Sequence, residues 1–376
     1  MKSEAPLAGL LVADLSRVLA GPLVGQTLGD LGADVVKVES PAGDDTRAWG
    51  PPRDAAGRAT YHHAANRNKR SIALDLADEG DRALARRLCE RADVVVANFK
   101  PGTLERFGLG HEQVATANPG VVHCEISGFG EGAGRDLPGY DPLVQALGGL
   151  MSVTGPPDSP SKVGVALVDV IAGLYATTAV LAALRERDRS GRGQRVTIDL
   201  LSTTLAALAN QATGWLGSGA VPGRLGNVHP SIEPFAPYRA ADGELMICAG
   251  NDRQFAALAA TIGAPELATD ARFTANADRV ANRAALRALI EERLAARDRA
   301  AWRELLTAAG VPAGPINDVA EAFALAGTLG LDPVDDHDGV RTVAYPARLS
   351  LTPAATRRRP PDHDEHGDEL REWLGG

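Results

Sequence analysis

Residues 10–39, LLVADLSRVLAGPLVGQTLGDLGADVVKVE, decide the fold. Leu10 to Asp14 is a short apolar run that reads as a buried strand. Gly21 to Leu31 has helical spacing, and Asp34 to Glu39 is a second strand-like run rich in valine. A strand, a helix and a strand in this order form a β-α-β unit, which calls for parallel pairing. The pattern invites a dinucleotide site with Glu39 as the ribose acid. The connecting loop SRVLAGP, however, lacks the G-x-G-x-x-G that lets a backbone approach a pyrophosphate, and a nicotinamide site is set aside on that ground.

The same grammar continues. SIALDL is a strand, Asp78 to Ala92 an amphipathic helix, DVVVANF a strand, Leu104 to Phe107 a short helix, and Val121 to Ser127 a further strand. The fold class predicted is α/β, with a mostly parallel sheet, helices on both faces and ligands at the C-terminal strand ends. Leu74, Asp75, Asn98, Phe99 and Lys100 lie at such ends, with Arg106 a helical turn or so beyond. Each taken singly fits a cap or a solvated charge; their shared location favours a ligand. The polar, Gly/Pro-rich stretch from Gly43 to Lys69 reads as a long loop over a ligand edge, carrying Asp45, Arg47, Asn66 and Lys69. GFGEGAG, from Gly128 to Gly134, follows a strand as a phosphate loop would. Pro138 and Gly139 interrupt the helix it would need, so it reads as a closely approached loop.

A second stretch, KVGVALVDVIAGLYATTAVLAALR at 162–185, holds a single carboxylate, Asp169, in an apolar run. Burying that anion is costly unless donors or a helix end surround it. Two compatible readings follow: an N-cap of a long buried helix, or a catalytic or ligand-binding carboxylate kept ionised and aimed by the helix dipole. The apolar part after the acid is shorter than the roughly 20 residues of a membrane span.

Further on, SGRGQRVTIDL is a turn and a strand, and Leu200 to Trp215 an apolar helix. Composition shifts at Gly217 to Gly226. PFAPYRAADGELMICAG then reads as a hairpin turning at Asp242-Gly243, followed by helices at Arg253 to Ile262, Arg283 to Ala296 and Arg299 to Ala309, a smaller α+β domain. Asp332 to Gly339 reads as an acidic linker, Arg341 to Leu351 as extended chain and Asp364 to Leu374 as a terminal helix. The His363-Asp-Glu-His366 cluster lacks the spacing of a zinc helix and falls in a solvated tail, so no metal site is expected.

With 376 residues, 44% hydrophobic and 23% charged, the chain suits a globular protein of two domains. A net charge of -9 argues against general affinity for nucleic acid or anionic membranes. Cys89, Cys124 and Cys248 are far apart and form no CxxC, which fits core residues in a reducing compartment. The N-terminal MKSEAPLAGLLVADLS has an acid inside its apolar run, unlike a signal peptide. A soluble, cytoplasmic protein is expected.

In order and spacing, PLAGLLVADLSRVLAGP, LGADVVKVESPAGDDTR, NRNKRSIALDL, ADVVVANFKPGTLERFGLG, ISGFGEGAG, PGYDPLVQALGGLMSVTG, VALVDVIAG, GNVHPSIEPF and GNDRQF together resemble the class III CoA-transferase family, the group that includes formyl-CoA, carnitine and bile-acid-inducible transferases. The resemblance runs nearly end to end. It implies a large Rossmann-like domain (residues 1–216, completed by a linker and C-terminal segment, 332–376), a small α+β domain (217–331), and an interlocked homodimer.

The resemblance also implies the chemistry. CoA would pass from an acyl-CoA donor to a carboxylic acid acceptor with no cofactor beyond coenzyme A itself as substrate and no metal. Asp169 would be the nucleophile, forming a mixed anhydride and then an aspartyl-CoA thioester. A carboxylate with an ordinary pKa of about 4 needs no helper base at neutral pH. Backbone amides, with Gly139 and Gly250 as candidates, would meet the tetrahedral oxyanion. Arg17, Ala20, Leu74, Asp75, Asn98, Phe99, Lys100 and Arg106 match positions lining the CoA site, with Tyr140 beside the thioester. Ser40 replaces a basic residue and Leu19 a glutamine found in some members. The segments Arg224 to Tyr238 and Gly250 to Gln254 would shape the acceptor pocket, where His229 and Arg253 read equally as holders of a dicarboxylate's second carboxylate or as structural residues.

Two rival functions use the same fold. An α-methylacyl-CoA racemase would need a histidine where this chain has Tyr140, whose phenol, with an ordinary pKa of about 10, is a poor base near neutrality. Asp252 in GNDRQF, where racemases have a glutamate, also fits the transferases. A silent CoA-binding protein would have no need of Asp169.

Overall fold

The computed structural model describes residues 5–376; residues 1–4, where the N-terminal reading begins, lie outside it. The chain forms two compact units, one of residues 1–151, 162–220 and 330–376, the other of 152–161 and 221–329. Residues 152–161 cluster with the second unit although chain order sets them inside the first.

The first unit is built on a six-stranded, wholly parallel sheet: β1 (Leu11–Asp14), β2 (Asp34–Glu39), β3 (Lys69–Ala73), β4 (Val94–Ala97), β5 (Val122–Ser127) and β6 (Arg195–Asp199), in the order β3-β2-β1-β4-β5-β6. Val12 sits between Val35 and Val94, and valines run through both neighbours because a strand covered on both faces has no polar side to show. Strand order reverses between β1 and β4, so a crevice opens beyond their C-terminal ends.

The Asp169 helix spans Leu167–Ser190, longer than the sequence suggests, and by length and composition alone it could cross a membrane. Val168, Ala172, Ala176, Val180 and Leu184 instead bury a stripe spaced four residues apart, and it packs on the Ala20–Asp30 helix. A Cβ at Gly173 would come within 3.0 Å of the Ala20 carbonyl oxygen, so glycine sets how near the two helices approach.

Several expectations change in the details. Lys69 and Arg70 do not belong to a surface loop; they open β3 and are buried. The 332–339 linker is a hairpin, with Val334–His337 paired antiparallel to Val340–Val343. The His363–His366 cluster is no solvated tail either. The Ser71 amide donates to His366 Nδ1 at 3.3 Å, the Ala73 amide to the Asp364 carboxylate at 2.7 Å, and Arg371 reaches the Ala73 carbonyl at 2.8 Å. The segment thus satisfies the open edge of β3. It leads into the terminal helix Gly367–Gly375, which buries Leu370 and Leu374. The apolar helix after β6 is broken in two, Leu200–Ala207 and Ala209–Ser218, at Ala209 with φ +44°.

In the second unit β7 (Phe235–Ala240) and β8 (Gly243–Cys248) form the expected hairpin, joined by β9 (Ala313–Pro315). Helices Asp252–Thr261, Arg283–Leu294 and Arg299–Ala308 supply Phe255, Leu286, Ile290, Leu294, Trp302 and Leu306 to its core. Arg279 is fully buried there. Its guanidinium donates to the carbonyls of Glu233, Phe273 and Thr274 and pairs with Asp252 at 2.6 Å.

Beneath the sheet's C-terminal edge lies a dry set of charges. Lys69 Nζ donates to Asp14 at 2.8 Å, to the Pro22 carbonyl at 2.8 Å and to Asn66 at 2.9 Å, and both ions are fully buried. Burial pulls the Lys69 ammonium down to about 8, whereas Lys69 and Lys37 outweigh burial at Asp14 and hold its carboxyl low. Lys69→Met leaves Asp14 without its main partner, and the expected cost is about 3–5 kcal/mol. Urea unfolding at neutral pH measures it; a loss below about 1 kcal/mol would mean that Asp14 finds compensation elsewhere.

Candidate active site

The loops after β1 and β4 meet at the crevice. The Arg17 amide donates to Asn98 Oδ1 at 2.9 Å, and Asn98 Nδ2 donates to the Arg17 carbonyl at 2.7 Å, a reciprocal pair that ties the two strand ends together. Gly21 follows because a Cβ there would come within 2.3 Å of Ser16 Cβ. The next residue but two before Gly21, Val18, has φ +70°, a conformation a β-branched residue rarely takes.

On the far side, Gly128 and Gly139 lie back to back: a Cβ on either would come within 2.5 Å of the other's Cα. The GFGEGAG segment is thus a closely approached loop, and what approaches it is the turn bearing Tyr140. Tyr140 is 58% exposed, projecting from just before the Asp141–Leu147 helix.

A cleft opens between these loops. It brings together Arg17, Ala20, Asn98, Phe99, Lys100, Tyr140 and Asp169. A second cleft, lined by Ser40, Gly43, Asp45, Arg47 and Trp49, shares Arg17, Phe99 and Tyr140 with the first. Leu74, Asp75 and Arg106 line neither: Leu74 is buried in the core, Asp75 is exposed and accepts from the Ala77 amide, and Arg106 is exposed. His229 and Arg253 belong to the other unit, where His229 accepts from the Ser231 amide and Arg253 is exposed.

Asp169 is not the N-cap of its helix. Ala166 occupies that position without a side-chain cap, and the amides of Val168 and Asp169 donate to Asp141 at 2.8 and 3.2 Å. Asp141 is buried and held in turn by Gln145, whose amide donates to it at 2.6 Å. With the cap supplied from another helix, the Asp169 carboxylate has no hydrogen bond or ion pair among the described residues. Burial, with the Asp141 charge adding to it, pushes its carboxyl up to about 7. This corrects the expectation of an ordinary, fully ionised carboxylate: the helix dipole is outweighed by desolvation and a neighbouring anion.

Sequence reading missed Asp141, Arg135 and Lys37. Asp141-Pro142 is a helix-start signature that could have marked the first. Arg135 lines the cleft, its guanidinium 3.4 Å from the Pro101 carbonyl. Lys37, a cation inside VVKVE, signals a buried partner because a central parallel strand has no solvated side.

This geometry meets its counterpart among known proteins. The model of CoA-transferase family III matches residues 7–367, and the chain belongs to that family. A succinate–glutarate CoA-transferase of Agrobacterium fabrum is 45% identical, covering 96% of this chain and 94% of its own. An acetyl-CoA:oxalate CoA-transferase of Acetobacter aceti is 41% identical, covering 98% and 96%. The crystal structure of a CaiB/BaiF family protein from Brucella suis superposes with a TM-score of 0.89 at 47% identity, over 99% of this chain and 100% of that one. The protein is an enzyme, a CoA-transferase of family III.

An ionised Asp169 is what the fold disfavours. Its native pKa lies above the unfolded value near 3.8, so native stability falls as pH rises from about 4 through about 7. Asp169→Asn removes that loss. The expected Tm gain is about 2–4 °C at pH 8, shrinking to nothing below pH 4. Thermal scans across that range test it; a gain independent of pH would sink the assignment.

Proposed function

We propose that this enzyme moves CoA from the thioester of a dicarboxylic acid to a free dicarboxylic acid through covalent intermediates on Asp169. The observation that carries the reading is a carboxylate without partners, half-buried at the start of a helix whose cap comes from elsewhere, facing a cleft at the sheet's switch point. An Asp169 oxygen attacks the thioester carbonyl carbon, the C–S bond breaks, and CoA leaves as thiolate. The thiolate then attacks the Asp169 carbonyl carbon of the mixed anhydride, the donor acid departs as carboxylate, and an aspartyl-CoA thioester remains. The acceptor carboxylate attacks that thioester, and the released thiolate takes the acceptor's acyl carbon, freeing Asp169. No proton, electron or metal is needed for atoms and charge to balance.

Desolvation of Asp169 raises the energy of the attacking anion. The amides nearest the crossing of Gly128 and Gly139 are the donors we assign to the oxyanion. Arg17, Lys100 and Arg135 supply positive charge for the phosphates of CoA, the ADP moiety lying toward Ser40 and Arg47. A dicarboxylate acceptor is supported by the relatives at 45% and 41% identity, named for glutarate and oxalate, and a dicarboxylate donor by the first, named also for succinate.

The working form we infer is a homodimer. Leu174, Tyr175, Leu205, Trp215 and Leu216 are 50–74% exposed on two consecutive apolar stretches, more uncovered apolar side chain than a monomer ordinarily carries. Three unpaired cysteines support a cytoplasmic setting. Sedimentation is expected to give about twice the chain mass of 39.2 kDa; a monomer at micromolar concentration would refute the dimer.

Asp169→Ala is expected to bind succinyl-CoA as the native enzyme does and to lose transfer to glutarate by at least about 10⁴-fold. In the native enzyme, borohydride or hydroxylamine quenching after incubation with succinyl-CoA should label Asp169 alone, seen by peptide mass spectrometry. The donor half-reaction should speed up with pH and level off above about 7, since only the anion attacks. Equal transfer by both proteins, or labelling elsewhere, would overturn the mechanism.

A further inference from the structure

The Ser16–Leu19 loop carries Arg17 into the cleft on a backbone that is strained and yet tightly held. Lys37 Nζ donates to the Ser16 carbonyl at 3.0 Å and to Asp44 Oδ2 at 2.9 Å, with both side chains out of contact with water. Asp44 in turn accepts from the Val18 amide, 3.2 Å from Oδ2, and from the Thr46 amide at 3.0 Å and hydroxyl at 2.7 Å. From below, Asp14 accepts from the Ser16 amide at 3.0 Å and from its hydroxyl. Two buried ion pairs therefore grip one four-residue turn, and Val18, at φ +70°, is the residue they bend. A buried Lys–Asp pair is a poor device for stability as such, because desolvation offsets its attraction. What it does supply is direction: both ions bind backbone groups flanking Arg17.

We propose that Lys37 and Asp44 are positioning residues for acyl-CoA: together they hold the Ser16–Val18 backbone so that Arg17 and the Arg17–Asn98 pair present a preformed wall to the substrate, fixing its affinity and leaving the chemistry at Asp169 to run at its own rate. The inference rests on the cleft being the acyl-CoA site. Lys37 and Asp44 lie in the wall of the second cleft, which shares Arg17, Phe99 and Tyr140 with the cleft of Asp169. Without the clamp Val18 relaxes to negative φ, the Ser16 carbonyl and Val18 amide turn, and the wall must be rebuilt each time substrate binds.

The experiment is steady-state kinetics with succinyl-CoA and glutarate, alongside calorimetric titration with CoA, on Lys37→Met, Asp44→Asn and their combinations with Val18→Gly. Each single variant is expected to raise KM for succinyl-CoA and the CoA dissociation constant about tenfold while kcat stays within about threefold. Glycine occupies positive φ at no steric cost. Val18→Gly added to Lys37→Met is therefore expected to recover at least about threefold of the lost affinity, which a merely structural role for Lys37 would not give. Should Lys37→Met not fold, Asp44→Asn with and without Val18→Gly carries the same comparison. Unchanged KM and CoA affinity in soluble variants, a fall in kcat alone, or no recovery with glycine would overturn the proposal. If native protein fails to bind CoA, or Arg17→Ala leaves CoA affinity untouched, the reading of the cleft fails instead.

Discussion

The hydrogen bonds from the Val168 and Asp169 amides to Asp141 decide the state in which the Asp169 carboxylate is held. A helix opening inside a protein must find acceptors for its free amides, and an aspartate in its own first turn is a usual source. Here a second helix lends the acceptor, and Gln145 holds it in place. Asp169 is released from local duty, and the lender's charge makes ionisation harder still. One arrangement thus frees a carboxylate, orients it and raises its energy. Its two neighbours at the site, Tyr140 and the Gly128–Gly139 crossing, are fixed by the same helix start, because Tyr140 immediately precedes Asp141.

Much of the architecture was legible because its signals are local. Apolar strands alternating with amphipathic helices gave a parallel sheet, whereas the strand order that sets β1 beside β4 has no local signature. Arg17, Ala20, Asn98, Phe99, Lys100, Tyr140 and Asp169 do gather in one cleft; strand ends marked Asn98, Phe99 and Lys100, while Arg17, Ala20 and Tyr140 came from the family resemblance alone. What could not be read were pairings across long separations. Lys69 looked like a loop cation because its partner, Asp14, lies 55 residues away, and the tail looked solvated because the edge it covers is nearly 300 residues upstream. The state of Asp169 was misjudged for the same reason: a pKa depends on burial and on Asp141, neither of which has a signature at position 169.

The two clefts share Arg17, Phe99 and Tyr140 but differ in how their walls are held. Around Asp169 the backbone is fixed by glycine contacts, where no side chain intervenes. Around Ser40 to Arg47 it is fixed by ions: Lys37 with Asp44, and Glu39 gripping Arg47 through both carboxylate oxygens at 2.7 and 2.6 Å. Arg47 is thereby occupied by protein, which leaves Arg17, Lys100 and Arg135 as the basic groups with least internal commitment on this face. For the acyl-CoA proposed to bind here, rigid walls of both kinds would lower the cost of ordering a long, flexible molecule.

The tail that pairs with β3 also constrains the order in which the molecule can be made. On that side the amides of Ser71 and Ala73 donate to His366 and Asp364, about 290 residues downstream. While translation is under way the sheet therefore ends in a raw margin, with Arg70 as the charge at that edge and Lys69 turned inward to Asp14. The margin closes only when residues 364–371 emerge from the ribosome and dock, so the arrival of that segment, not the completion of the first β-α-β unit, is the moment at which this sheet becomes safe from sticking to itself.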